Sequence, residues 1–251
     1  MLQTIRIMLI ALVLMVAPAA HAALFTTSFG TAIPNVSDCD DCFAGPFLFG
    51  GGQTIEFFGT TYTGLFVSSN GYVTFDTGHT NFSGEPIDTQ TVGPMIAGFF
   101  TDLDTTGDAT SNVYVNDATT GQLIITYEMI SHSGDQSLRS TFQLLVRSDQ
   151  IMFPATEGQL GFFYGDITDN SLVSAGFGDG LLDSNPGEVS FASQVDGTTL
   201  SNNAPRFFNL NNDGTGDGST PPPTGVPEPA SLALLGAGMA ALATRRRRRQ
   251  P

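Results

Sequence analysis

From about residue 54 onward the chain alternates short apolar runs with clusters of glycine, asparagine, aspartate, serine and proline, and it lacks the 3.6-residue apolar period of long amphipathic helices. Thr54 to Phe58, Tyr62 to Ser68 and Tyr72 to Phe75 read as strands. Asn70-Gly71 between the last two predicts a tight hairpin of type I′, because both residues tolerate positive φ. Met95 to Phe100 is a continuous apolar run, entered through Gly93-Pro94 and left through Thr101-Asp102-Leu103-Asp104, and predicts a core strand opening into a polar loop. Further strands are predicted at Val113 to Val115, Gln122 to Tyr127, Thr141 to Val146, Gln150 to Phe153, Gly161 to Tyr164, Val173 to Phe177, Val189 to Phe191 and Arg206 to Phe208. Arg147-Ser148-Asp149 would join Thr141 to Val146 and Gln150 to Phe153 in a compact hairpin. Many short strands between turn residues predict an all-β fold, an antiparallel sandwich or distorted barrel, with Val67, Val73, Phe75, Ile96, Phe99 and Phe142 facing inward.

The two ends break this pattern. Ile7 to Ala20 is an apolar run behind Arg6, and Ala20-His21-Ala22 has the small-x-small form of a leader cleavage site, so residues 1–22 read as a signal peptide removed by signal peptidase before Ala23. Residues 23–210 then form one β domain. After Leu210 a glycine- and aspartate-rich stretch ending in Pro221, Pro222 and Pro223 predicts a flexible acidic and proline-rich linker over 211–225. The last segment, 226–251, holds Val226-Pro227-Glu228-Pro229, an apolar run from Ala230 to Ala243, and Arg245 to Arg249. That run predicts a short C-terminal transmembrane helix with its arginines on the cytoplasmic side. Its rise of about 21 Å falls short of a bilayer core of roughly 30 Å.

This three-part ending resembles the PEP-CTERM protein-sorting tail of bacterial exported proteins, the tail also known from an ice-binding protein C-terminal domain. The resemblance implies that Pro227, Glu228 and Pro229 are read by an exosortase, a membrane enzyme that removes the helix and the basic end. It also implies a transient inner-membrane intermediate on the way to the outer envelope or extracellular matrix.

Charge narrows the partners. Between Ala23 and Thr244 three arginines, Arg139, Arg147 and Arg206, stand against all 24 acidic residues, a formal charge of −21, and no lysine occurs. Such a surface repels nucleic acid and other polyanions and favours cations, basic patches or neutral glycans.

Candidate chemistry is sparse. Cys39-Asp40-Asp41-Cys42 is a candidate disulfide; free thiols and a redox or metal role are the alternatives, although two intervening aspartates raise a thiol pKa where redox chemistry needs it lowered. Asp102 and Asp104, two apart on an extended backbone, point to the same side and could share a calcium ion; aspartates at a strand end also cap turns without any metal. His79 and His132 lie in polar, glycine-containing loops and read as exposed. Neither belongs to a nucleophile-and-base arrangement, so the chain is not expected to be an enzyme.

Phe57-Phe58-Gly59 with Tyr62, Phe66 through Phe75, Met95 through Asp104, Thr141-Phe142-Gln143-Leu144 and Ala175-Gly176-Phe177 together resemble the extracellular nidogen-like (NIDO) domain over residues 57–178. The chain departs from that pattern at Gly98, where proline is common, and at Phe100, where tryptophan is common. The resemblance implies an extracellular, adhesion-associated β domain. The expected function is therefore adhesion or matrix association, with an exopolysaccharide or matrix protein as partner. The alternative is a secreted carbohydrate-active or other hydrolytic enzyme carrying the same tail.

Overall fold

The computed structural model of the chain describes residues 24–211, apart from 108, 183, 184 and 203, together with residue 216. In chain order the strands are β1 (Thr31–Ala32), β2 (Phe43–Leu48), β3 (Ile55–Phe57), β4 (Thr60–Tyr62) and β5 (Gly64–Ser68). They continue with β6 (Tyr72–Thr74), β7 (Met95–Phe100), β8 (Leu103–Asp104), β9 (Asn112–Asn116) and β10 (Gln122–His132). The last are β11 (Asp135–Arg147), β12 (Leu160–Ile167), β13 (Leu172–Gly178), β14 (Val189–Asp196) and β15 (Arg206–Phe208).

Two antiparallel sheets carry the domain. One runs β1-β9-β10-β11-β12-β15 with β8 added beside β10, the other runs β14-β13-β7-β6-β5-β2, and β3-β4 forms a separate hairpin. Facing residues of both sheets meet in one core: Leu65, Val67, Val73, Ile96, Phe99 and Phe177 from the second sheet pack with Leu123, Ile125, Tyr127, Phe142, Leu144 and Phe162 from the first. The six residues expected to face inward are all buried. Tyr127 stacks on Phe142 with ring centroids 4.4 Å apart, and Phe142 stacks on Phe99 across the sheets at 5.5 Å. Two tyrosine hydroxyls stitch the layers: Tyr127 donates towards Ser68 O (2.8 Å) and Tyr164 towards Gly98 O (2.9 Å). Each bond satisfies a buried polar group that would otherwise cost about 1–3 kcal/mol.

Ile96 and Phe99 differ in parity along β7, yet both reach this core. The N–H groups of Gly98 and Phe99 both donate to Gly71 O, at 3.0 and 3.2 Å, and the pairing with β13 shifts by one residue between Ala97 and Phe100. This bulge turns Phe99 inward and sends Phe100 to the opposite face, where it meets Tyr72 at 5.1 Å beside Ile87 and Val92.

Several expectations need correction. The sheets do not close on each other, so the fold is a sandwich and the distorted-barrel alternative fails. No helix among the described residues is long and apolar enough to cross a membrane. The C-terminal transmembrane helix expected over Ala230 to Ala243 is therefore withdrawn; that stretch lies outside the described residues, and its apolar length is short for a bilayer. The signal peptide 1–22, the sorting segment 226–251 and the linker 211–225, except residues 211 and 216, also lie outside them.

Asn70-Gly71 is not a two-residue turn. Val67 pairs with Val73 and only Gly71 of the pair has positive φ (83°), so Ser69, Asn70 and Gly71 form a longer loop. The two-residue hairpin with positive φ at both positions falls instead at Phe58 (47°) and Gly59 (74°), between β3 and β4. Gln150 to Phe153 is no strand: β11 pairs with β12, and residues 148–159 form a loop between them.

Candidate functional site

Three chain segments converge where β7 leaves its sheet: the loop between β1 and β2, the loop between β5 and β6, and the polar exit Thr101 to Asp104. The first is held by Cys39 and Cys42, which are joined in a disulfide with Cα atoms 6.0 Å apart. Thr105 fixes one end, its hydroxyl accepting from Cys39 N–H (2.8 Å) and lying 2.7 Å from Val36 O. Ser69 fixes the other, its hydroxyl accepting from Cys42 N–H (3.0 Å) while its own N–H donates to Cys42 O (2.8 Å).

Asn70 is the hinge of the arrangement. Its side chain is fully buried, accepts the Leu103 N–H (2.8 Å) and donates from Nδ2 to Asp41 Oδ1 (2.8 Å). The family-like Ser-Asn-Gly sequence thus ties the exit of β7 to the disulfide loop, a use of asparagine invisible in a turn-only reading. Asp40, Asp41 and Asp102 consequently gather with one oxygen each inside 4.8 Å of one another. They lie at the surface, with Asp102 half-buried.

Asp104 faces a different task. Its Oδ1 accepts the Thr106 N–H at 2.7 Å and its carbonyl accepts the Ser131 hydroxyl at 2.8 Å, which makes it a cap for the turn after β8. The structure brings Asp102 together with Asp40 and Asp41, and leaves Asp104 beside the group.

Desolvation raises the Asp40 and Asp102 carboxyls above the usual range, and repulsion from neighbouring aspartates adds to it: Asp104, Asp41 and Asp102 act on Asp40, and Asp41 acts on Asp102. Three hard oxygen donors without a thiol suit a divalent cation, since both cysteines are bonded to each other. A cation there would cancel the repulsion that the fold imposes.

His132 is not the exposed loop residue that its surroundings suggested. It ends β10, its side chain is 22% exposed, and Nδ1 lies 3.4 Å from Oδ2 of Asp169, which is fully buried. At that separation the contact is an ion pair more than a well-formed hydrogen bond. Asp169 raises the His132 pKa against the opposing effect of burial. Burial alone would raise Asp169, but His132 and the Ser171 N–H (2.9 Å) outweigh it and hold that carboxyl low. No local motif in the sequence announces this pair, because 37 positions separate the partners and Asp169 sits in an ordinary turn sequence.

Taken together, the architecture is a β-sandwich with a disulfide-bonded acidic loop. The chain matches the family described as NIDO related over residues 18–213, most of its length, and it belongs to that family. It also carries a PEP-CTERM protein-sorting motif at residues 225–249. It is accordingly an exported, PEP-CTERM-sorted, matrix- or adhesion-associated protein. Neither the curated proteins nor the solved structures contain a significant match to it.

Proposed function

We propose that signal peptidase releases this protein before Ala23, that an exosortase-type membrane enzyme reads Pro227, Glu228 and Pro229, and that the sandwich then serves in the outer envelope or extracellular matrix. There it holds an exopolysaccharide or a matrix protein without transforming it. The observation that carries this reading is the order of the two matches, a NIDO related domain at 18–213 followed by a sorting motif at 225–249. Proline stands on either side of Glu228, and because proline carries no backbone N–H donor the three residues make a chemically distinctive sequence for an enzyme to read. Passage through an inner-membrane-associated stage follows from where such enzymes act.

Calcium is the cation that we assign to Asp40, Asp41 and Asp102. Carboxylates on surface loops accommodate its large, variable shell more readily than the strict octahedron of magnesium.

The test of sorting is a triple alanine change at Pro227, Glu228 and Pro229, compared with the unaltered chain by intact mass and cell fractionation. The altered chain should accumulate as a heavier form outside the matrix fraction. Equal mass and equal distribution would remove these three residues from the mechanism.

A further inference from the structure

Away from the acidic loop, an open groove of about 420 Å³ lies where the β3 strand, the loop after β11 and the segment following β15 meet. Its lining includes the carboxylates of Glu56 and Asp149, the amides of Gln159 and Asn211, and the apolar side chains of Ile151 and Phe153. The volume is within the range of roughly 300–1,000 Å³ typical of ligand sites.

The groove is held in shape before any ligand arrives. Asp149 accepts at both oxygens, from Glu56 N–H (2.8 Å) and from Gln159 Nε2 (2.9 Å). Gln159 Oε1 in turn accepts the Leu210 N–H (3.1 Å). Phe153 rests on the guanidinium of Arg147, 5.1 Å from its ring centroid. Arg147 is itself buried and fixed by Gln122 (2.9 Å), Gly158 O (3.0 Å) and Glu157 (2.5 Å). Phe153 is therefore an aromatic platform set by a neutralised cation, and its neighbours are planar polar groups with fixed directions. Preorganisation of this kind lowers the ordering cost of binding.

The chemistry of the lining selects the ligand. Among the groove's lining residues none is basic, and the surrounding chain is strongly acidic, so phosphate, sulfate and uronate groups are disfavoured. Carboxylate and amide oxygens accept from hydroxyls, amide N–H groups donate back, and an aromatic face takes the C–H face of a pyranose ring. An open groove admits a polymer passing through it. Both Asp149 oxygens are occupied by N–H donors, an arrangement that orients a ligand and does not supply a proton.

We propose that this groove binds a neutral polysaccharide, with Phe153 as its stacking platform and Glu56, Asp149, Gln159 and Asn211 as its hydroxyl partners. The proposal rests on the matrix-association reading and names the class of matrix component.

The test is native gel electrophoresis of the full chain isolated from cells, in gels containing a neutral β-glucan, a galactomannan, dextran, acidic alginate or cationic chitosan. At least one neutral polymer should retard the chain in a salt-insensitive way, and alginate should not. Phe153→Ala should weaken that retardation about tenfold. Because Phe153 also covers Arg147, the double variant Glu56→Gln with Asn211→Ala, checked by its melting curve, provides a second reading and should weaken binding as well. Met152→Ala, at a side chain 95% exposed, should bind like the parent.

Failure of every neutral polymer, equal retardation of parent and groove variants, shortening of the polymer, or salt-sensitive binding to chitosan alone would each overturn the proposal. A chain that stays in the matrix fraction yet binds no neutral polymer sinks the groove and leaves matrix association standing. A chain that binds polymer but is missing from that fraction does the reverse.

Discussion

Replacing Phe142 by alanine removes the ring at the centre of the aromatic stack that passes from Tyr127 in one sheet to Phe99 in the other. Phe142 is completely buried, with Leu144, Val67 and Ile96 in the same core cluster. Its walls are hydrogen-bonded strands of two sheets, which cannot close far over a missing ring. Loss of buried phenylalanine costs about 3–5 kcal/mol where the site relaxes little, and the interrupted stacks place this position in the upper part of that range. At roughly 2–4 °C per kcal/mol for a domain of this size, the melting temperature should fall by about 8–20 °C. Urea unfolding followed by circular dichroism would measure it at moderate salt, so that self-repulsion of the acidic chain is screened. The midpoint should shift at nearly constant slope. Phe82→Ala, at a side chain 49% exposed, serves as the comparison and should cost less than about 1 kcal/mol. A Phe142→Ala loss no larger than that of Phe82→Ala would refute the claim that this stack joins the sheets.

The loops and the His132–Asp169 pair give three further expected outcomes. In calcium against chelator, the parent chain should gain about 2.7 kcal/mol at a hundredfold excess over its dissociation constant, Asp104→Asn should keep the gain, and the triple change of Asp40, Asp41 and Asp102 to asparagine should lose it; an equal response in all three chains would assign the effect to general charge screening. The His132–Asp169 pair should stabilise most between about pH 4 and about pH 6.5. The raised histidine contributes fully below its unfolded value and fades as pH rises through its folded value, whereas the lowered aspartate contributes above its unfolded value and fades as pH falls through its folded value. His132→Gln should flatten the alkaline decline in thermal melts, and a melting profile unchanged above about pH 6.5 would count against the pair. Gly71→Ala should cost at least about 2 kcal/mol in chemical denaturation, because φ is +83° and the added methyl would run into the Phe99 carbonyl; a near-neutral change would disprove the close approach at the β7 bulge.

The strands that alternation and turn residues mark most strongly were readable from the chain alone. Met95 to Phe100 and Val113 to Val115 carry local patterns that tertiary structure has no reason to overrule. Gln150 to Phe153 was not readable, because its apolar residues serve another purpose. Phe153 covers Arg147, and the long β11 takes β12 as its partner in place of the nearer segment. The Asn-Gly signal located the right hairpin but the wrong turn. The buried amide of Asn70 is needed at Leu103 and Asp41, and a two-residue loop would have paired the strands in a different register. Phe58-Gly59 shows the complementary failure: a bulky residue at positive φ is a poor turn former by propensity, and here its ring packs at 4.9 Å against the buried Phe57.

The acidic site is where local sequence and spatial arrangement part most clearly. Asp102 and Asp104 look like partners because an extended backbone puts alternate side chains on one side. Yet β8 begins at Leu103, and its pairing with Ser131 and His132 commits Asp104 to the turn beyond it. Asp102 is left at the junction, where the Leu103 N–H reaches Asn70 and Asn70 reaches the disulfide loop. The aspartates between the two cysteines, which argued against redox chemistry, are the ones placed opposite it. What unites these carboxylates is a buried amide and a cross-linked loop contributed by segments distant in sequence, so residue spacing could identify one member of the group but not the company it keeps. Their mutual repulsion is tolerated because those neutral contacts hold the backbone, and the same repulsion is what a bound cation would relieve.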